Sequence, residues 1–310
     1  MQRKLYTSFM NDHQRKASNL EPSRQLNVTL AQMPTLYTVL PSPGEGLGCF
    51  SIALIPSGTR VLVEKPLFAV REPRSNSAVT HAFSQLSSAE QGRYLALYAQ
   101  SLANQGDAKV VDIFNSNAWQ TEGRTSILPN CARFNHSCIP NASFAWNSRL
   151  SSATIHAVVD IPPNTQIRLS YETPYQQLEE RRAKLASYGF VCSCPACGSD
   201  AEASEMRRTR MVTLDARIRV SKRQHWKADT PKAALELLRL VKEEGLMGEA
   251  LALAYHDVAV GYVKHGRMDL ALRYAAKELE VGIKCHGTDS PYVDTTRTFL
   301  KELRGENLEM

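Results

Sequence analysis

Three cysteines crowd into six residues, Cys192-Ser-Cys194-Pro-Ala-Cys197. Thiols that close compete with one another as core residues. As thiolates they suit zinc, which takes four ligands in a tetrahedron and, in structural sites, often takes four sulfurs. Three local sulfurs leave one position to fill. Cys138 is the best candidate, because it sits in the polar run Asn135-His136-Ser-Cys138-Ile-Pro-Asn141. His136 is a competing ligand, and reduced buried cysteines are the plainer alternative. Cys49, Cys131 and Cys285 have no comparable neighbours and read as core or surface thiols. A zinc joining residue 138 to residues 192–197 would pin the segment after Gly189 against earlier strands, and its loss would loosen that segment.

Aromatic and amide residues lie close to this cluster in sequence. Tyr171 ends the alternating run Ile167-Arg-Leu-Ser-Tyr171, and Tyr188 and Phe190 shortly precede the cysteines. Singly, each has an ordinary structural role. A strand-end tyrosine packs, a lone histidine is a hydrogen-bonded structural group, and Asn135 and Asn141 suit turns. Glu64 and Glu172 read as solvated or paired acids.

In order, four stretches resemble the SET domain of protein-lysine methyltransferases, most of all the SET-and-MYND-domain family and its MYND-less fungal relatives. They are Gly44-Glu-Gly-Leu-Gly-Cys-Phe50, Arg133-Phe-Asn-His-Ser-Cys-Ile-Pro-Asn141, Arg168-Leu-Ser-Tyr-Glu172 and Tyr188-Gly-Phe-Val-Cys-Ser-Cys-Pro-Ala-Cys197. The glycine stretch alone is weak; the middle motif with the cysteines at this distance is strong.

The resemblance implies an α+β fold. Small sheets with pseudoknot-like threading are closed by a post-SET zinc site of Cys138, Cys192, Cys194 and Cys197. It implies methyl transfer from S-adenosylmethionine to a lysine of a protein substrate, histone or other. Residue by residue, it implies that Glu45 and Leu47 offer backbone groups to the cofactor, where flanking glycines allow close approach. Asn135 and His136 would hold its amino-acid and adenine parts, and Phe190 would stack on adenine. The Tyr171 hydroxyl would lie beside the methyl in flight, with Tyr188 lining the lysine channel. Phe114-Asn-Ser-Asn117 is similar to a motif in the fungal relatives' insert, which implies that Asn117 reaches the cofactor. Two departures stand out. Residues 71–130 hold no cysteine for a MYND zinc module, and Thr173 stands where many histone methyltransferases carry a second tyrosine.

The elements that must position these residues follow from patterning. Leu36–Leu40, Phe50–Leu54 and Arg60–Val63 read as strands, with Lys65–Val70 continuing the sheet. Residues 71–87 read as loop. Ser87-Ser-Ala-Glu90 is a capping box for a helix through Tyr94, Leu97 and Leu102. Thr154–Val159 and Ile167–Tyr171 read as strands about the turn Ile161-Pro-Pro-Asn164, and Gln176–Ser187 as a charged helix stopping near Gly189. Beyond Ser199 helical periodicity dominates, with helices expected over Met206–Arg223, Pro231–Glu244, Gly248–His265, Met268–His286 and Tyr292–Arg304. The expected organisation is a disordered basic tail over 1–33 and a SET domain over 34–200. That domain carries an insert at about 71–130 and a zinc segment at 188–198. A helical region over 201–310 follows.

Within that region Tyr255-His-Asp-Val-Ala259, Tyr262, Gly266, Met268, Ala271, Tyr274 and Ala275 follow tetratricopeptide-like spacing. A plain bundle is the equal alternative. One unit cannot stand alone, so the tail should lean on the SET domain. Residues 207–227 carry Arg207, Arg208, Arg210, Arg217, Arg219, Lys222, Arg223 and Lys227 against Asp215. A solvated helix face is favoured there over direct nucleic-acid binding.

With 43% apolar residues in 310, the chain should be globular. It has no run of about 18 apolar residues, which excludes a membrane-spanning helix. The absence of a secretory stretch points to a reducing compartment, nucleus or cytoplasm. Arg3, Lys4, Arg15, Lys16 and Arg24 raise mitochondrial targeting, but Asp12, Glu21 and the lack of amphipathic period disfavour it. The chain is taken to act as a monomer. The competing function is a non-catalytic protein that binds partners through its helical tail; a nucleic-acid-binding zinc protein is a weaker third.

Overall fold

The structure is a computed structural model and describes residues 35–100, 105–223 and 230–306. The basic run 1–33, Leu102 and Lys227 lie outside the described residues.

Strands β1 (Tyr37–Ser42) and β2 (Gly46–Ser51) form an antiparallel hairpin. The Ile52 N–H donates to Leu36 O at 3.1 Å, which marks residues 36 and 52 as a hydrogen-bonded pair. Counting by twos along the register makes Pro41 and Leu47 a non-bonded pair. Pro41 therefore loses nothing by lacking an N–H, and Leu47 turns its own backbone polar groups to the outer edge of β2. Farther along that edge residues 164–167 add on: Ser51 N–H donates to Thr165 O at 3.0 Å and Ile167 N–H to Cys49 O at 2.8 Å.

The same segment then changes partner. Leu169 forms a parallel bridge with His136, with Leu169 N–H on Asn135 O and Leu169 O accepting from Ser137, each at 2.9 Å. The sequence pattern anticipates one strand over Ile167–Tyr171, but switching partners halfway leaves no continuous ladder. This crossing threads the tyrosine segment between the hairpin and the Asn135–Cys138 loop.

Two further sheets are antiparallel. One has order β3-β8-β7, from Arg60–Glu64, Ser152–Ala157 and Ala142–Asn147; the other has order β4-β6-β5, from Phe68–Arg71, Arg124–Ile127 and Trp119–Thr121. The sequence reading missed β7, whose residues are buried except for Trp146. A strand covered on both faces loses the apolar–polar alternation that announces one.

The insert has more structure than the polar loop and helix expected. It carries α1 (Asn76–Ser84), α2 (Ser88–Leu95) and α3 (Gly106–Asn117) beside β5 and β6. Ser75 caps α1 by accepting from Ala78 N–H at 3.1 Å. Val79, Tyr94, Ile113 and Phe114 form a separate core for this layer. The Ser87–Glu90 capping box is present, but α2 ends at Leu95.

Helix α4 (Leu178–Ala186) leads to the cysteines, and α5 (Ala201–Arg223), α6 (Thr230–Glu243), α7 (Glu249–Lys264), α8 (Met268–His286) and α9 (Pro291–Arg304) complete the chain. Ala259, Ala271 and Ala275 are fully buried where α7 and α8 pack, and Gly266 takes φ +69° in the turn between them. The helices lean on the sheets. Val158 and Tyr175 belong to the helical core, α8 packs on β7 and β8, and Arg149 pairs with Asp294 at 2.7 Å.

The arginine-rich run in α5 is a solvated face over most of its length, with Arg210, Arg217, Arg219 and Lys222 exposed, but Arg207 and Arg208 turn into the fold. Arg208, 1% exposed, donates from Nε to Glu244 at 2.7 Å and from Nη2 to Cys138 O at 2.9 Å. Arg207 donates to the other Glu244 oxygen at 2.6 Å, Arg210 pairs with Glu236, and Lys222 with Asp257. Removing one partner of a buried ion pair leaves an uncompensated charge, at about 3 kcal/mol or more. Glu244→Gln should therefore lower the urea midpoint by that much stability with an unchanged slope; an unchanged midpoint would show that the network does not hold α5.

Candidate active site and metal centre

The Sγ atoms of Cys138, Cys192, Cys194 and Cys197 all lie within 4.8 Å of one another. Cys138 is 3.5 Å from Cys197 and 4.0 Å from Cys192. A tetrahedron of sulfurs about 2.3 Å from a zinc has edges of about 3.8 Å, so the group fits one such ion. Crowding splits the thiols: hydrogen bonds among the sulfurs push Cys138 up and hold Cys194 and Cys197 down, Cys197 to about 6. A divalent cation removes that conflict, because all four can then be thiolates. Buried Arg181 adds positive charge from α4, donating to Ala196 O at 2.9 Å and approaching Cys197 Sγ at 3.7 Å.

His136 is not one of these sulfurs' equals; it stands behind them. Its Nδ1 accepts from the Tyr171 backbone N–H at 2.9 Å. The ring proton is then on Nε2, 3.3 Å from Cys138 Sγ. Burial pushes this imidazole down to about 3, so it is neutral. It ties the metal loop to the tyrosine segment. The backbone of the same residue accepts from Arg168 Nη1 at 2.8 Å.

Arg168 also grips the hairpin tip. It makes a two-pronged pair with Glu45, at 2.7 and 2.8 Å. Burial opposes ionisation of Glu45, but bonds from Arg168 and Ser42 outweigh it and set the carboxyl below its ordinary value. The Glu45 side chain thus holds the hairpin in place. Asn135 donates to Leu47 O at 3.1 Å, on the outer edge that β1 leaves open. Gly48 permits this approach, since an added Cβ would sit 2.2 Å from Gln166 Nε2 and 3.1 Å from Asn135 Nδ2.

The aromatic residues converge. Tyr171 is 7% exposed, and its hydroxyl donates to Phe134 O at 2.7 Å. Its ring meets those of His136 at 5.3 Å, Tyr188 at 5.6 Å and Phe190 at 6.4 Å. Burial raises both the Tyr171 and Tyr188 phenols, so both stay protonated. The structure thus brings together Glu45, Leu47, Asn135, His136, Tyr171, Tyr188, Phe190 and the four cysteines. It ties Asn117 elsewhere: that buried amide donates to Tyr98 O at 2.6 Å and Ile113 O at 2.7 Å.

Sequence reasoning missed several contributors. Trp119 packs edge-on to Tyr171 at 6.0 Å and stacks on Phe144 at 4.4 Å; its three-residue strand carries too short a pattern to detect. Glu64 is buried and accepts from Asn130 and Cys131 N–H at 2.8 and 2.7 Å, shaping the turn before Phe134. Arg168, inside a quoted motif, and Arg181, inside a charged helix, carry no signal of their inward pairing.

A SET domain match covers residues 46–172. The chain is 30% identical over 267 residues to the histone-lysine N-methyltransferase set5 of Schizosaccharomyces pombe, covering 82% of this chain and 80% of that protein. It is 40% identical over 81 residues to the histone-lysine N-methyltransferase ATXR2 of Arabidopsis thaliana, covering 24% of this chain and 16% of that protein. It is 39% identical over 82 residues to the protein-lysine N-trimethyltransferase SMYD5 of Homo sapiens, covering 24% and 19% respectively.

Elemental analysis of the purified chain should find one equivalent of zinc per chain. Cys194→Ser should lower that content severalfold and speed proteolysis between residues 188 and 198. Full metal retention in the variant would remove Cys194 from the ligand set.

Proposed function

This chain belongs to the SET-domain family, and from that premise we propose that it is a protein-lysine N-methyltransferase using S-adenosylmethionine, with one structural zinc on Cys138, Cys192, Cys194 and Cys197. The observation that carries this reading is the aromatic enclosure of the Tyr171 phenol beside the Asn135–Leu47 edge. Gly44 and Gly46 both take φ +75° with nothing within 4 Å of an added Cβ, so that edge has open space. Backbone groups of Glu45 and Leu47, the Asn135 carboxamide and the half-buried Phe190 ring form a set suited to a nucleoside with an amino-acid tail. We assign Asn135 and the backbone at His136 to hold that molecule, and Phe190 to stack on its base.

S-adenosylmethionine supplies an electrophilic methyl group on a sulfonium. The chain's residues then act by positioning and desolvation. Tyr171, Tyr188 and Trp119 wall a channel that strips water from the incoming lysine. A lysine amine, with an ordinary pKa of about 10.4, must lose its proton before attack, and an apolar channel favours the neutral form. The Tyr171 hydroxyl, fixed on Phe134 O, orients the amine lone pair, and alignment of this kind supplies much of the rate. The substrate is a lysine-bearing protein, histone or other, and the α7–α8 pair is read as one tetratricopeptide-like unit bordering it. Asn117 is assigned an indirect part, through the carbonyl of Tyr98, whose hydroxyl lies 2.9 Å from where a Gly189 Cβ would be.

The direct test is transfer of a labelled methyl group from S-adenosylmethionine to a panel of proteins and lysine peptides by the zinc-loaded chain. Absence of transfer throughout pH 7–9 would defeat the proposal. Tyr171→Phe should cut transfer on the order of 100-fold, the span typical of a positioned proton-handling group. Calorimetry should show cofactor affinity nearly unchanged in that variant; equal transfer rates would move the chemistry away from Tyr171.

A further inference from the structure

Ser170 and Glu172 flank Tyr171, where the chain bends, and they line a cleft that the Tyr171 ring does not. Tyr171, Tyr188 and Phe190 do not line it, whereas His136, which meets the Tyr171 and Phe190 rings, does, so this cleft adjoins the aromatic enclosure without being part of it. Its volume is about 760 Å³, open mouth included. The far wall is the first turn of α7, and Pro140, Ala142, Pro174, Leu246 and Leu253 make the sides largely apolar.

The charges in the cleft are unevenly matched. Glu172 pairs with Lys184 at 3.3 Å. Arg208 is engaged by Glu244 and Cys138 O, Arg181 by the carbonyls of Gln176 and Ala196, and His136 is neutral. Glu249 lines the same cleft and, among the described residues, has no side-chain hydrogen bond or ion pair. Its side chain is half-buried, and desolvation with no opposing cation pushes its carboxyl up to about 7. A first-turn acid helps a helix N-terminus, but that effect is modest and calls for no apolar cleft in front of it. Carboxylates held in apolar surroundings are ordinarily matched by a cation.

We propose that this cleft is a second binding site, taking an ammonium or guanidinium group on an aliphatic stem, with the Glu249 carboxylate as its counter-charge. The apolar sides suit the stem, and the unmatched carboxylate suits the head. The group can come from a basic side chain of the polypeptide substrate or from a free polyamine. Only the first source rests on the lysine-methylation reading.

The test is calorimetric titration of the full zinc-loaded chain with spermidine and, separately, with a lysine-containing peptide, in the absence of methyl donor. The chain's formal net charge of +6 disfavours diffuse attraction of polycations, so saturable binding would report a local site. Glu249→Gln should weaken it at least tenfold. Leu253→Phe, which fills the cleft without changing charge, should weaken it similarly and serves as the test if the first variant does not fold. Binding of spermidine alone assigns a free amine, and binding of the peptide assigns a substrate side chain. No saturable binding of either probe, or equal affinity in wild type and both folded variants, would overturn the site. Because no transfer is measured, such a failure would leave the methyltransferase reading standing.

Discussion

Four sulfurs must share one small volume, although Cys138 and Cys192 are 54 positions apart in the chain. Everything around the aromatic site is arranged on that constraint. It brings Tyr188 and Phe190 over Tyr171, because the segment from Gly189 to Cys192 is too short to leave the cysteine cluster. Zinc binding by four thiolates is worth about 10–16 kcal/mol in small peptides. The net stability of a whole domain is about 5–15 kcal/mol. A zinc held by these four sulfurs would therefore rank with the core as a determinant of this region and would secure the last wall of the site.

The surrounding polar groups prevent that tie from being a loose hinge. His136 joins Cys138 to the Tyr171 backbone. Arg168 joins the His136 carbonyl to Glu45 at the hairpin tip. Arg208 carries the same loop to α5 through the Cys138 carbonyl. Each of these side chains bridges two stretches of chain distant in sequence, and each is buried or half-buried, where unmatched polar groups are costly. The helical region is thus part of the support of the metal loop as well as a neighbour to it.

Much of this was readable in the residues. The cysteine spacing, the Asn135–Cys138 run and the tyrosines lie in motifs, and motifs are local. The helices after Ser199 were readable because long amphipathic periods are redundant: Met268–His286 was placed to the residue. What escaped depends on partners. Residues 167–171 look like a strand and instead serve two partners in succession. Trp119 occupies a strand of three residues. Arg208 looks as solvated as the other arginines of α5, since nothing near it in sequence announces Glu244 as its partner 36 residues later. Helix α1 did carry a signal, a Ser75 cap and Val79 with Phe83 one turn on, but the polar residues around it obscured the period.

The distribution of acids gives the arrangement its chemical sense. At pH 7 an ordinary lysine lies about 3.4 pH units below its pKa of about 10.4, so presenting it as a free amine costs about 4.6 kcal/mol. A carboxylate inside the aromatic enclosure would raise that cost by favouring the ammonium. The acids nearby are matched or turned away: Glu45 is held by Arg168, and Glu172 faces the adjoining cleft beside Lys184. Glu249, the carboxylate without a counter-charge, lies in that cleft beside the tyrosine segment. Under the two proposals, one short stretch, Ser170 to Glu172, separates a place that favours a neutral amine from a place that favours a cation. A polypeptide rich in basic residues can meet both, presenting one side chain for reaction and another for recognition, without the two requirements opposing each other.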